Sequence, residues 1–115
     1  MLYSYQVKEG VINLGIIKSA VLDKINHLRR KMLVHSYLYY ALDSSIVDDI
    51  TFDRWAKELV LLQKEYPSEA SQCVYNESFK LFDGTTGFNL ERDAWVESAA
   101  RRLLQTHKEL EKKNG

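Results

Sequence analysis

Between Ile16 and Ala41 the chain carries an apolar stripe that no proline interrupts, and this stripe constrains the fold more than any other feature. Ile17, Ala20, Val21, Ile25, Leu28, Met32, Leu33, Leu38 and Ala41 recur at spacings of three and four, the pattern that a helix buries along one face. The spacing predicts one long helix of about seven turns, or two helices broken near Asn26. A stripe this wide belongs in the middle of a domain. Asp43-Ser44-Ser45 ends it, because short polar side chains compete for backbone hydrogen bonds.

The remaining elements are shorter. Ile46 and Val47 are expected to plug a loop back into the core. Asp48 or Asp49 then caps a second helix, with Phe52, Trp55, Leu59 and Leu62 on its inner stripe. That helix stops near Tyr66, since a residue before proline is biased away from the α region. Pro67 can open a further short helix, with Ala70, Cys73 and Val74 inward. Asp83-Gly84-Thr85-Thr86-Gly87 is strong turn chemistry between two apolar runs, and it leaves a short β-hairpin or an irregular connection equally open. A last helix is expected from Glu91 to about Lys112, with Trp95, Ala99, Leu103 and Leu110 as its face. Residues 1–15 alternate weakly (Leu2, Tyr3, Tyr5, Val7), which suits a short strand or a helical lead-in. The fold expected is therefore mainly α: a small helical domain built on a long helix and a helical hairpin, with a short β-hairpin possible before the C-terminal helix.

Composition excludes several classes. The 115 residues suffice for a single domain with an ordinary core. Sixteen basic and sixteen acidic side chains cancel, so no overall field draws the chain to nucleic acid or to a membrane. The Arg29-Arg30-Lys31 and Arg101-Arg102 runs read as solvated helix faces. One cysteine, Cys73, allows no internal disulfide and reads as a buried structural thiol in a reducing compartment. No leader and no membrane span is indicated, so a cytoplasmic location is expected.

Tests for autonomous chemistry fail. His27 and His35 are too far apart to share a metal ion, and the spacing of Asp48, Asp49 and Asp53 is not that of a calcium loop. No phosphate-cradling glycine loop or nucleophile elbow occurs. No catalytic residue and no metal ligand is expected. One constellation remains: Tyr39 and Tyr40 at the end of the long helix, and Asp49, Phe52 and Asp53 at the start of the next. In a helical hairpin an aromatic wall would face carboxylates, an arrangement that suits a flat cationic heteroaromatic ring bearing a ribose. Core aromatics beside helix-capping aspartates are the simpler reading of the same residues.

The stretch LRRKMLVHSYLYYALDSSIVDDITFDRWAKELVLLQKEYP, Leu28 to Pro67, resembles the N-terminal helical domain of NAD-dependent bacterial DNA ligases. That family's pattern has the form LR…L…H-x-Y-x-YY-x-x-D, then D-x-x-Y-D-x-L…E-L…L…P. Leu28-Arg29, His35, Tyr37, Tyr39-Tyr40, Asp43, Asp49, Asp53, Glu58-Leu59 and Pro67 fall in register with it. The resemblance implies that Tyr39, Tyr40, Asp49, Phe52 and Asp53 occupy the positions that contact nicotinamide and its ribose phosphate. Phe52 stands where the family has tyrosine, which keeps the ring and removes a hydroxyl. After Pro67 the family's serine-proline-threonine segment is missing, and no adenylation motif follows. The chain is thus expected to divide into a ligase-like hairpin over 16–67 and a C-terminal extension over 68–115 within one domain, and not to be an enzyme by itself.

Three functions follow from this resemblance. The one preferred from the sequence is a non-catalytic interaction protein, because a lone lid offers half a binding cleft. Free-standing relatives of the domain look like products of phages or mobile elements. A protein partner is therefore expected, with a host NAD-consuming defence enzyme as its target, and no cofactor is required. The second is a module that binds nicotinamide mononucleotide (NMN) or NAD. The third is an accessory acting in trans with a DNA ligase. Direct binding of nucleic acid or membrane is not expected.

Overall fold

The structure, a computed structural model, describes the backbone of residues 6–114 and the side chains of residues 15–113. Its elements are α1 (Gln6–Tyr40), α2 (Asp49–Glu65), α3 (Pro67–Ser71), α4 (Asn76–Phe79) and α5 (Ala94–Asn114). The first helix runs unbroken for 35 residues; Asn26 does not interrupt it. The lead-in from Gln6 is helical, while Leu2, Tyr3 and Tyr5 lie outside the described residues.

α1 is the axis, with α2 and α5 packed along it and α3 wedged against α1 and α2. Ile25, Leu28, Met32, Leu33 and Leu38 of α1 are buried, as the stripe requires, and meet Ala56 and Leu59 of α2. Each such aliphatic side chain contributes roughly 1.5–3 kcal/mol on burial. Ala20 and Ala41, counted on the same stripe, are exposed.

The helix ends follow local chemistry. α1 stops at Tyr40. Asp43 takes the left-handed conformation (φ 49°) that short polar side chains tolerate, and the Ser44 amide turns back to donate to the Leu38 carbonyl at 2.8 Å. Asp48 caps α2, its carboxylate accepting from the Thr51 amide at 2.7 Å. Pro67 opens α3 as expected.

Three expectations are corrected. Arg29, grouped with a solvated basic face, is 1% exposed. Its Nε donates to Gln63 Oε1 at 2.9 Å, and its Nη1 donates to the carbonyls of Cys73 and Val74 at 3.3 and 3.0 Å. The guanidinium also lies over the Phe79 ring. The second correction concerns α5, which begins at Ala94 and buries Val96 and Ala100, whereas Trp95, Leu103 and Leu110 are exposed. Asp93 caps it, accepting from the Val96 amide at 2.9 Å, and small Ala100 packs with Val34 and Leu38 of α1. Third, Val74 is only partly buried; its amide donates to Asn26 Oδ1 of α1 at 2.8 Å.

Of the two readings left open for 79–90, the irregular connection is the one observed, and no strand occurs among the described residues. The turn satisfies itself locally: Asp83 Oδ1 accepts from both the amide and the hydroxyl of Thr85 at 3.0 and 2.6 Å. Cys73 is buried, with Sγ against the Glu69 carbonyl at 3.3 Å, and burial pushes its thiol pKa up. No described helix is long and apolar enough to cross a membrane.

Candidate functional site

The end of α1, the 41–48 loop and the start of α2 enclose a cleft of about 440 Å³. Tyr39 and Tyr40 come from the last turn of α1, Asp49 from the first residue of α2, and Phe52 and Asp53 from one turn further along. All five residues expected at a site line this one cleft. The sequence places them there by periodicity: α1 and α2 are joined by eight residues, so the last turn of one must face the first turn of the other.

The aromatic side is ordered edge to face. Tyr39 and Tyr40 have ring centroids 4.7 Å apart at 85°, and Tyr40 meets Phe88 at 5.3 Å and 79°, the geometry that ring quadrupoles favour. Tyr39 is 52% exposed and Tyr40 37% exposed, so their faces are available to a ligand. The carboxylate side is Asp49 and Asp53. Asp53 forms an exposed ion pair with Lys57 at 2.8 Å, which holds the lysine pKa up.

His35 forms part of the floor. Its ring lies 5.1 Å from that of Trp55, tilted by 56°, and Lys31 Nζ sits 4.2 Å above the same indole. Its Nδ1 is buried without a hydrogen-bond partner. Burial, reinforced by the Lys31 charge, pushes the imidazole pKa down to about 4, so His35 is neutral at pH 7.

The third wall was not foreseen. Gly84, Thr85 and Thr86, from the stretch read as surface extension, line the cleft opposite the helix ends. Two close approaches hold this loop in place. Gly84 has φ +87°, and a Cβ on it would sit 3.3 Å from Val60 Cγ2 of α2. A Cβ on Gly87 would overlap the Ser36 hydroxyl of α1 and lie 2.9 Å from Ser36 Cβ. Glycine is what lets the loop touch both helices. Thr86 Oγ1 then pairs with the Tyr40 hydroxyl at 2.9 Å and accepts from the Phe88 amide at 3.2 Å. The glycine spacing was visible in the sequence; the contact with α1, some 50 positions earlier, was not. Ser45, Val47 and Ile50 complete the lining; Val47, expected in the core, faces the cleft, while Ile46 packs inward.

Among the described residues no cluster of His, Cys, Asp and Glu could hold a metal ion. The cleft offers stacking faces, hydrogen-bonding hydroxyls and two carboxylates.

The helical hairpin with this cleft is similar to a known domain: the family model described as DNA ligase-like, N-terminal NAD+-binding domain matches residues 18–72, a little under half of the chain. The curated relatives matched are DNA ligases. That of Carboxydothermus hydrogenoformans is 40% identical over 70 residues, covering 56% of this chain and 10% of the ligase. That of Prochlorococcus marinus is 42% identical over 99 residues, covering 73% of this chain and 14% of the ligase. That of Syntrophomonas wolfei is 43% identical over 47 residues, covering 41% and 7%. The chain thus spans about a tenth of the length of the curated relatives it matches. No solved structure matches it. The five expected site residues lie inside the family match, and the 83–87 loop lies outside it.

Proposed function

We propose that this chain is a nicotinamide-nucleotide binding module, taking NMN or the nicotinamide ribonucleotide end of NAD. The observation that carries this reading is the convergence of Tyr39, Tyr40, Asp49, Phe52 and Asp53 on one cleft within the family-matched segment. The aromatic rings offer stacking faces to the pyridinium, the carboxylates balance its charge, and Phe52 supplies the ring without a hydroxyl. A cleft of about 440 Å³ falls in the range of ~300–1,000 Å³ usual for small-molecule sites. The chain's part is binding, without bond-making chemistry of its own, in a cytoplasmic setting.

Isothermal titration calorimetry with NMN, NAD and ADP-ribose tests this. Heat from NMN and NAD but not from ADP-ribose is expected. Silence from both nicotinamide nucleotides at millimolar concentration would end the proposal. Phe52→Ala, which removes a stacking face, should weaken NMN binding roughly fivefold to a hundredfold, by analogy with base–aromatic stacking at about 1–3 kcal/mol.

The interaction-protein reading, with a host NAD-consuming defence enzyme as target, was preferred on the ground that a lid alone gives half a cleft. Thr85 and Thr86 supply a third side within the same chain, which removes that ground. It ranks second, with the trans-acting ligase accessory behind it. Affinity purification from a bacterial host that recovers a stoichiometric NAD-consuming enzyme would reverse this order.

A further inference from the structure

We propose that a second depression, between α1 and α5, binds a phosphate monoester carried on a small apolar body. His27, Arg30, Lys31, Val34 and His35 of α1 and Leu103 of α5 line it, and it shares only His35 with the cleft described above. Positions 27, 30 and 31 are three and four apart, so their side chains gather on one face of α1. No carboxylate lines the depression. Among the described residues none of these three basic groups forms an ion pair, whereas charges close by are answered: Lys24 meets Glu58 at 3.3 Å and Arg101 meets Glu97 at 3.2 Å. Lys31 Nζ rests 4.2 Å from the centre of the Trp55 ring, which holds the ammonium in place without cancelling its charge.

The balanced total charge hides a segregation. Residues 15–40 and 94–114, the stretches of α1 and α5, carry ten Lys and Arg against four Asp and Glu, while residues 41–93 carry five against eleven. A depression on the positive side concentrates anions. Burial first and the Lys31 charge second hold the His35 pKa down, so that charge is felt at the depression wall.

The anion's chemistry follows from the donors, and its body from the floor. His27, Arg30 and Lys31 each bring hydrogen-bond donors. A phosphate monoester answers them with three acceptor oxygens and about −1.5 to −2 charges near neutral pH, where a carboxylate has two oxygens and one charge. Val34 is buried and Leu103 is 36% exposed, so an apolar group laid on Leu103 covers surface that water now wets. The space of about 200 Å³ lies below the ~300–1,000 Å³ of drug-sized sites, which suits a small body.

Proton NMR of the full chain titrated with phenyl phosphate, inorganic phosphate and benzoate tests the proposal, with the three histidines as reporters. Phenyl phosphate should move the His27 ring resonances saturably, with a dissociation constant on the order of 1 mM. It should leave in place those of His107, which pairs with Glu111 outside the depression. Inorganic phosphate and benzoate should each bind several-fold more weakly. Arg30→Gln should weaken phenyl phosphate roughly two- to fivefold, and Leu103→Ala should erase its advantage over inorganic phosphate; melting temperatures check that both variants are folded. Equal movement of His27 and His107, the mark of general charge screening, would overturn the proposal. So would an unmoved His27 at roughly 20 mM phenyl phosphate, or benzoate binding as tightly.

Discussion

Two stretches of α1, less than two turns apart, treat their polar groups in opposite ways. Around Arg29 every visible polar demand is met. The guanidinium satisfies Gln63 and two carbonyls, Gln63 Nε2 passes a further bond to the Phe79 carbonyl at 3.4 Å, and Asn26 takes the Val74 amide. Around His35 to Tyr40 the demands are left open. His35 Nδ1 and Ser36 Oγ are buried without partners, and two tyrosine rings stand half in solvent. Buried polar groups are normally paired because leaving one unpaired costs about 1–3 kcal/mol. The first region is a lock that ties the 73–79 segment to the helix pair. The second holds unspent hydrogen-bonding and stacking capacity, which is what a binding site needs. The arginine ties the fold together, and the histidine lies against the cleft.

The sharpest way to break this contrast is Arg29→Met. It keeps much of the stem volume but strands Gln63 and two carbonyls, and it should cost on the order of 3 kcal/mol or more in urea denaturation. A loss below 1 kcal/mol would mean that the lock is not structural.

His35 gives the next effect, through pH. Its folded pKa of about 4 lies below the ordinary 6.5, so the unfolded chain binds the extra proton. Stability is then full above pH 6.5, falls as the pH drops from there towards 4, and levels off below, with a total on the order of 2–3 kcal/mol. Asp48 and Asp83 have lowered pKa values from their bonds to Thr51 and Thr85; their contribution is lost only below that window. His35→Phe, which keeps a ring against Trp55, should flatten the slope between pH 4 and 6.5 in thermal melts; an unchanged slope would assign it to other groups.

Gly87→Ala probes the join between the two regions. Its methyl would overlap Ser36, and overpacking of this kind costs about 1–3 kcal/mol. If the loop walls the site, NMN affinity should fall even where the variant is fully folded, and Ser36→Gly in the same chain should recover the affinity but only part of the stability, since glycine inside α1 itself costs roughly 1 kcal/mol. The smallest effect belongs to Lys57→Met. Its exposed ion pair with Asp53 should leave the melting temperature essentially unchanged, while NMN binding tightens slightly as Asp53 is freed to balance the pyridinium charge.

Much of the fold was legible because it is written locally. The stripe from Val21 to Leu38, the Asp48 cap, the stop at Tyr66 and the start at Pro67 each depend on residues within a few positions of one another, and each appears where the sequence puts it. The α5 face was misjudged because Ala94 to Leu104 offers apolar residues on more than one side, and only packing on Val34 and Leu38 chooses among them. Arg29 was misjudged because a charge inside a basic run looks solvated until Gln63 and the Cys73 and Val74 carbonyls arrive from elsewhere in the chain.

The sequence by itself determined the helical hairpin and the five side chains at its open end, since helical period and an eight-residue connection leave those residues little choice but to face each other. The tertiary structure alone decided that the cleft has a third side. Gly84 and Gly87 permit close approach, but a glycine names no partner. Only packing of the 83–87 loop against Val60 and Ser36 brings Thr85 and Thr86 to the tyrosines, and such a long-range contact has no periodic signature for a sequence to carry.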